Sequence, residues 1–228
     1  MSDHKRLSWT AKMNDDSYNV VALEFYREGE MRQKNISFHD FVAMLNESTE
    51  NDAGFRIGKL PNGYYDGSVC NSQKMSFQCV IVVPAGKRVI QYYETFYEVP
   101  YPATVFAFHV MEGRLHASEV FFVESNEPTD EDILYQYCFA NVESGTGSIC
   151  WGSNDLPELT CLKDCDKLVA LFFGSPCNDD YYSRSRFASK VPEYCQTQRA
   201  LYEHLKECEE FPFEILLSVG KRMGDLIT

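Results

Sequence analysis

The chain of 228 residues has no apolar run approaching the roughly 20 residues that cross a bilayer, which excludes a helical membrane protein. Its first residues, Met1-Ser2-Asp3-His4-Lys5-Arg6, lack the apolar segment of a secretory signal. Basic residues are scarce: 21 Lys and Arg stand against 34 Asp and Glu, a net charge of −13. The basic clusters His4-Lys5-Arg6 and Lys221-Arg222 are too short to follow a phosphate backbone, so nucleic acid is excluded as a partner. The same acidity disfavours an anionic membrane surface. It suits a basic protein partner, and solubility alone also accounts for it. No phosphate-cradling glycine loop is present, because Gly145-Thr146-Gly147 is not followed by the Lys and helix of a P-loop. Histidine is rare, and neither His39, His109, His116 nor His204 stands in a motif that would pair it with a nucleophile.

Nine cysteines, an odd number, occur without a secretory signal. That pattern predicts reduced thiols in a cytoplasm rather than a disulfide framework. Cys161 and Cys165, and likewise His204 and Cys208, are four apart on candidate helices. They allow a Cys3His zinc site, but the Cys-x2-Cys turn of most such sites is missing, and core packing explains the spacing as well. Apolar content of 44% and aromatic content of 14% fit a globular chain.

Organisation follows from periodicity and turn residues. Residues 1–57 read as an N-terminal extension. Within it, residues 20–26 form a short apolar strand, and Ser37 caps a helix carrying Phe38, Phe41, Val42 and Leu45 at helical spacing. Residues 58–228 read as the main domain. Residues 77–83, 89–97, 104–110 and 115–123 predict a four-stranded antiparallel meander, with its last hairpin turning at Glu112-Gly113. Residues 124–157 are polar and rich in glycine and proline, a long irregular segment of the kind that carries function. Helices are expected over 159–172, 191–208 and 213–227. The order of elements predicts an α+β domain with helices packed on an antiparallel sheet.

The long segment holds Cys150 in a Gly-rich, Ser-rich context. An accessible thiol is a nucleophile or an acyl acceptor; a buried one is inert packing. The residues around it decide between these. Leu134-Tyr135, Phe139-Ala140-Asn141-Val142 and Gly147-Ser148-Ile149-Cys150-Trp151-Gly152-Ser153 resemble the active-site region of the prokaryotic family D of ubiquitin-conjugating enzymes. The similarity covers roughly residues 58 to 226.

The resemblance implies a ubiquitin-conjugating-enzyme-like fold and a thioester relay. Cys150 is then the acceptor of a ubiquitin-like modifier delivered by an adenylating activating enzyme, and a target protein's amine is the final acceptor. No cofactor is expected on this chain, because the activating enzyme uses the ATP. Asn141, nine positions before Cys150, corresponds to the family's oxyanion donor, a contact worth about 3 kcal/mol in such sites. Its plainer role is a side chain that bonds loop backbone. Asp179 and Asp180, 29 and 30 positions after Cys150, correspond to the acidic residue that orients an incoming lysine, or else serve only their loop. The chain departs from the family where Phe139-Ala140 replaces the His-Pro before the Asn. That departure sustains an alternative, a non-catalytic module that recruits a modifier or partner.

Overall fold

The computed structural model describes residues 9–14, 17–27, 30–37, 40–41, 59–71, 75–187 and 192–227. The chain separates into two compact units, residues 1–54 and 55–228.

The first unit contains an antiparallel three-stranded sheet in the order β1 (Trp9–Asn14), β2 (Ser17–Arg27), β3 (Glu30–Ser37). Val21 and Leu23, two apart on β2, are buried, as alternation requires. The Ser37 hydroxyl accepts the Asp40 N–H at 3.0 Å, and Asp40 and Phe41 are helical. The rest of the helix expected there lies outside the described residues.

The second unit is built on a six-stranded sheet. Its strands are β4 (Tyr64–Asn71), β5 (Ser76–Val83), β8 (Ala103–Met111), β9 (Arg114–Val123), β10 (Ile133–Gln136) and β11 (Ser218–Arg222). The order across the sheet is β11-β10-β9-β8-β5-β4. β5 is buried on both faces, and so reads as a continuous apolar run. Phe77, Cys79 and Ile81 pair with Val110, Phe108 and Phe106 on the face covered by helices. Val80 and Val82 join Val105, Phe121, Val123, Leu134 and Met223 on the other face. Each buried phenylalanine contributes about 2–3 kcal/mol of transfer free energy. The β8–β9 hairpin turns at Glu112-Gly113, both with positive φ, the primed turn that matches strand twist.

The expected meander is corrected in its second strand. Residues 89–97 do not join the sheet. They bend at Tyr93-Glu94, so that β6 (Gly86–Tyr92) and β7 (Thr95–Tyr101) form a separate two-stranded ribbon, and β5 pairs directly with β8. Tyr93 takes a φ of 51°, held by its N–H on the Cys177 carbonyl at 2.9 Å. A turn closed by a distant partner leaves no glycine or asparagine signature. The helix expected at 213–227 is also corrected: that segment holds a 3₁₀ turn, strand β11 and a second 3₁₀ turn. β10, its sheet partner, lies inside the stretch expected to be irregular.

Two α-helices cover the sheet. α1 (Cys165–Gly174) buries Cys165, Leu168 and Phe172. α2 (Gln198–Leu205) starts at Thr197, whose hydroxyl accepts the Ala200 N–H at 3.1 Å. It buries Leu201, Tyr202 and Leu205, and Tyr202 stacks on Tyr97 of the ribbon at 5.3 Å between ring centres. Both helices are shorter than their apolar periodicity predicts, because 3₁₀ turns replace their first turns. No helix among the described residues is long and apolar enough to cross a membrane.

Candidate functional site

Cys150 and Asn141 are brought side by side by a small backbone loop. The Cys150 N–H donates to the Asn141 carbonyl at 2.8 Å, and the Glu143 N–H donates to the Ser148 carbonyl at 2.8 Å. Within the loop, the Thr146 hydroxyl donates to the Glu143 carboxylate at 2.8 Å and accepts the Ser148 N–H at 3.2 Å. The loop docks on β9: the Val120 N–H donates to the Gly147 carbonyl at 2.8 Å, and the Ile149 N–H to the Ser118 carbonyl at 3.1 Å. Gly147 is required at this junction. Its φ is 76°, and a Cβ there would stand 2.5 Å from the Phe121 ring. Val142 and Ile149 are buried on either side of the loop, while Cys150 is exposed. Just beyond it, the Trp151 indole N–H donates to the Ser118 hydroxyl at 3.0 Å. The thiol therefore sits in the open on a backbone fixed before and after it.

Asn141 has a φ of 63°, a left-handed conformation that asparagine tolerates better than most residues. Its Nδ2 donates to the Pro176 carbonyl at 3.1 Å, which ties the loop to the segment following α1. Before it, Phe139 and Ala140 are buried. The Phe139 ring stacks on Tyr202 at 5.4 Å and packs on Tyr101 at 4.8 Å. Aromatic packing thus occupies the place where the family pattern has His-Pro.

Arg186 had no motif to announce it, yet it organises the surroundings of the site. It is fully buried. Its guanidinium donates to the carbonyls of Tyr137, Phe139, Val142 and Tyr181, so one cation fastens the backbone on both sides of Asn141 to the loop of residues 177–187. Burial lowers its pKa from the usual arginine value, and the nearby Cys138, Tyr137 and Tyr182 side chains oppose that shift. Three of its four acceptors lie 44 to 49 positions away in the chain, so no local pattern marks it.

The 177–187 loop carries both candidate carboxylates. Asp179 accepts the Tyr92 hydroxyl at 2.7 Å and the Tyr93 hydroxyl at 3.3 Å, which pins the loop to the ribbon. Asp180 is exposed. Its N–H donates to the Asn178 Oδ1 at 2.8 Å, and its carboxylate accepts from the Asn178 Nδ2 at 3.0 Å. The Tyr182 N–H donates to the Asp179 carbonyl at 3.1 Å and closes a turn, with Tyr181 at a φ of 65°. The nearby Cys150 thiol raises the Tyr181 pKa, and Glu143 and Asp180 add to the rise.

Of the other cysteines, Cys70 is exposed, Cys161 and Cys208 are half-buried, and the remaining five are inert packing. Cys79, Cys138, Cys165, Cys177 and Cys195 are buried, and desolvation pushes Cys138 well above the ordinary thiol range. Cys161, Cys165, His204 and Cys208 do not gather; among the described residues no three His, Cys, Asp or Glu side chains form a metal cluster. His204 instead stacks on Tyr194 at 3.7 Å, and Cys165 is buried in the core cluster that also holds Cys79. The cavity beneath Asn141, lined in part by Tyr101, Tyr137 and Tyr202, measures about 20 Å³, room for one water and not for a substrate.

The family model described as prokaryotic E2 family D matches residues 59–219. No curated protein and no solved structure matches the chain.

Proposed function

The chain belongs to prokaryotic E2 family D and is a ubiquitin-conjugating-like protein, and from that premise we propose that it carries a ubiquitin-like modifier as a thioester on Cys150 and transfers it to an amine of a target protein. The observation that carries the reading is an exposed thiol at one end of a fixed loop whose other end is Asn141, joined by the Cys150 N–H to Asn141 carbonyl bond of 2.8 Å.

In this reading an activating enzyme presents the modifier's C-terminus as a thioester. The Cys150 thiolate attacks its carbonyl carbon, and the activating enzyme's thiolate leaves. An amine then attacks the carbonyl carbon of the new thioester, the carbon–sulfur bond breaks, and the Cys150 thiolate leaves with the electron pair. One Nδ2 hydrogen of Asn141 is held by Pro176, and the second is left to donate to the oxyanion. Asp180, exposed and within electrostatic reach of Tyr181, draws in a lysine ammonium and takes up a proton as the amine reacts. Asp179 contributes by holding the loop through Tyr92 and Tyr93. Residues 1–57 act as an extension that docks the activating enzyme, and residues 58–228 form the conjugating domain. All nine cysteines are free thiols, the state a reducing cytoplasm maintains.

The test combines the protein with its cognate activating enzyme, modifier and ATP, followed by a non-reducing gel. The expected product is an adduct that reductant removes and that Cys150→Ala abolishes. Cys150→Ser should give a reductant-resistant, alkali-labile oxyester. No adduct, with an activating enzyme shown to be charged, would leave a non-catalytic recruiting module in place of an enzyme.

A further inference from the structure

We propose that Tyr92 is a positioning residue for discharge of the thioester: by holding Asp179 it fixes segment 176–180, which carries both the carbonyl that orients the Asn141 amide and the exposed Asp180. This rests on the reading of Cys150 as the thioester acceptor. It gives a part in the reaction to the β6–β7 ribbon, which lies outside the Cys150 motif.

The end of the ribbon and the segment after α1 are joined through backbone and side chains alike. The Cys177 N–H donates to the Gln91 carbonyl at 2.8 Å and the Tyr93 N–H to the Cys177 carbonyl at 2.9 Å, so Cys177 lies beside Tyr92 as one bridge of parallel strand. Asp179 closes the join, accepting the Tyr92 hydroxyl on one carboxylate oxygen at 2.7 Å and the Tyr93 hydroxyl on the other at 3.3 Å. Just before this join stands Pro176, whose carbonyl takes the Asn141 Nδ2 at 3.1 Å. Just after it stands Asp180.

The Tyr92 hydroxyl is not explained by packing. The residue is 2% exposed and its ring lies edge-on to Tyr202 at 5.4 Å, a contact that phenylalanine would make equally well. What the oxygen adds is the bond to Asp179. Burial pushes the hydroxyl above its ordinary pKa and the Asp179 bond adds to the rise, so it stays a donor throughout the neutral range. Strain gathers at the same place. Tyr93 and Asn141 take left-handed conformations, with φ of 51° and 63°, and each sends a hydrogen to this segment, Tyr93 to Cys177 and Asn141 to Pro176.

In discharge, the amine nitrogen bonds the thioester carbonyl carbon and negative charge gathers on the carbonyl oxygen. The carbon–sulfur bond then breaks with its electron pair on Sγ, and the amine's proton passes to Asp180. Asn141 must meet the oxygen while Asp180 meets the ammonium, and both take their places from segment 176–180. The Cys150 loop is held separately, on β9 through Gly147 and Ile149, so acceptance of the modifier does not draw on the ribbon.

Tyr92→Phe removes the hydroxyl and keeps the ring. A preformed Cys150 thioester is discharged in single-turnover assays over a range of free lysine concentrations. The maximal discharge rate is expected to fall by about 5- to 10-fold, the scale of one hydrogen bond to a charged group. Charging by the activating enzyme, and alkylation of Cys150 by iodoacetamide, should keep the rates of the unaltered protein. Asp179→Ala should slow discharge at least as much, and Asp179→Asn, which still offers an oxygen to the Tyr92 hydroxyl, should recover most of that loss. Equal discharge by Tyr92→Phe and the unaltered protein would overturn the assignment. So would charging and alkylation that slow in step with discharge, the mark of a general loosening of the fold. An Asp179→Asn protein as slow as Asp179→Ala would also overturn it, because the charge and not the bond to Tyr92 would then matter. Failure of the carrier reading is a different result, the absence of any thioester in the unaltered protein, and it removes this role as well.

Discussion

Arg186 places a cation among backbone carbonyls, and among the described residues no carboxylate pairs with it. The planar fork is what allows it to reach four oxygens at once; an ammonium has fewer donors and no fork. Arg186→Lys should therefore behave as a severe change. It is expected to cost about 3–5 kcal/mol in urea unfolding, since several buried carbonyls lose their donor. Arg186→Met should cost at least as much, and a loss below about 1 kcal/mol for either variant would show that the carbonyls find other partners. Gly147 makes a second prediction at this scale. Its positive φ and the 2.5 Å approach to Phe121 mean that Gly147→Ala strains the loop and displaces a core ring. Roughly 2–3 kcal/mol of destabilisation is expected, with Cys150 slower to accept modifier because its loop no longer sits on β9. The two positions differ in legibility. Gly147 and Cys150 stand in one short motif, and family resemblance picks out both. Arg186 owes its role to chain crossings that bring distant residues together, and nothing in its neighbours marks it.

Elements were readable where a local pattern was enough to form them. Strands β5, β8 and β9 show as apolar runs, and the Glu112-Gly113 turn as a glycine between them. Elements that depend on a distant partner were not. The turn at Tyr93 needs the Cys177 carbonyl, and the four-residue β10 needs both Phe121 and Phe122 of β9 and the strand β11. The start of α1 shows how local contacts also set a pH dependence. Burial works to raise the Asp164 carboxyl, but the Lys167 ammonium at 2.6 Å and the Thr160 N–H and hydroxyl, each at 2.8 Å, outweigh it and hold the group well below its ordinary value of 3.8. A carboxyl depressed on folding contributes stability above its unfolded value, and that stability is lost as pH falls through the folded one. The expected outcome is unfolding free energy that declines on acidification below about pH 4, and a shallower decline in Asp164→Asn, which should cost about 1–2 kcal/mol at neutral pH. Urea titrations from pH 7 to pH 2 measure both. An unaltered acid slope in Asp164→Asn would assign the acid sensitivity to other groups.

At the scale of the molecule, both hydrophobic cores close within the second unit. Every buried member of the two clusters falls between Phe77 and Met223, and the partly buried residues packed on them fall between Tyr64 and Ile227. The family match, residues 59–219, covers the same part of the chain. A unit with its own core folds as a unit. Residues 55–228 expressed alone should therefore unfold in one cooperative transition, with Cys150 alkylated at the full-length rate, because every group described around the thiol belongs to that unit. If the N-terminal extension docks the activating enzyme, the same truncation, which removes residues 1–54 of it, should separate two steps of the reaction. Transfer of modifier from activating enzyme to Cys150 should slow at sub-saturating enzyme and recover as its concentration is raised. Discharge of a preformed thioester to free lysine should proceed at the full-length rate. A truncated chain that accepts modifier as readily as the intact one at every concentration would remove the docking role from the N-terminal unit. A truncated chain that discharges slowly would mean instead that this unit acts on the thioester chemistry itself.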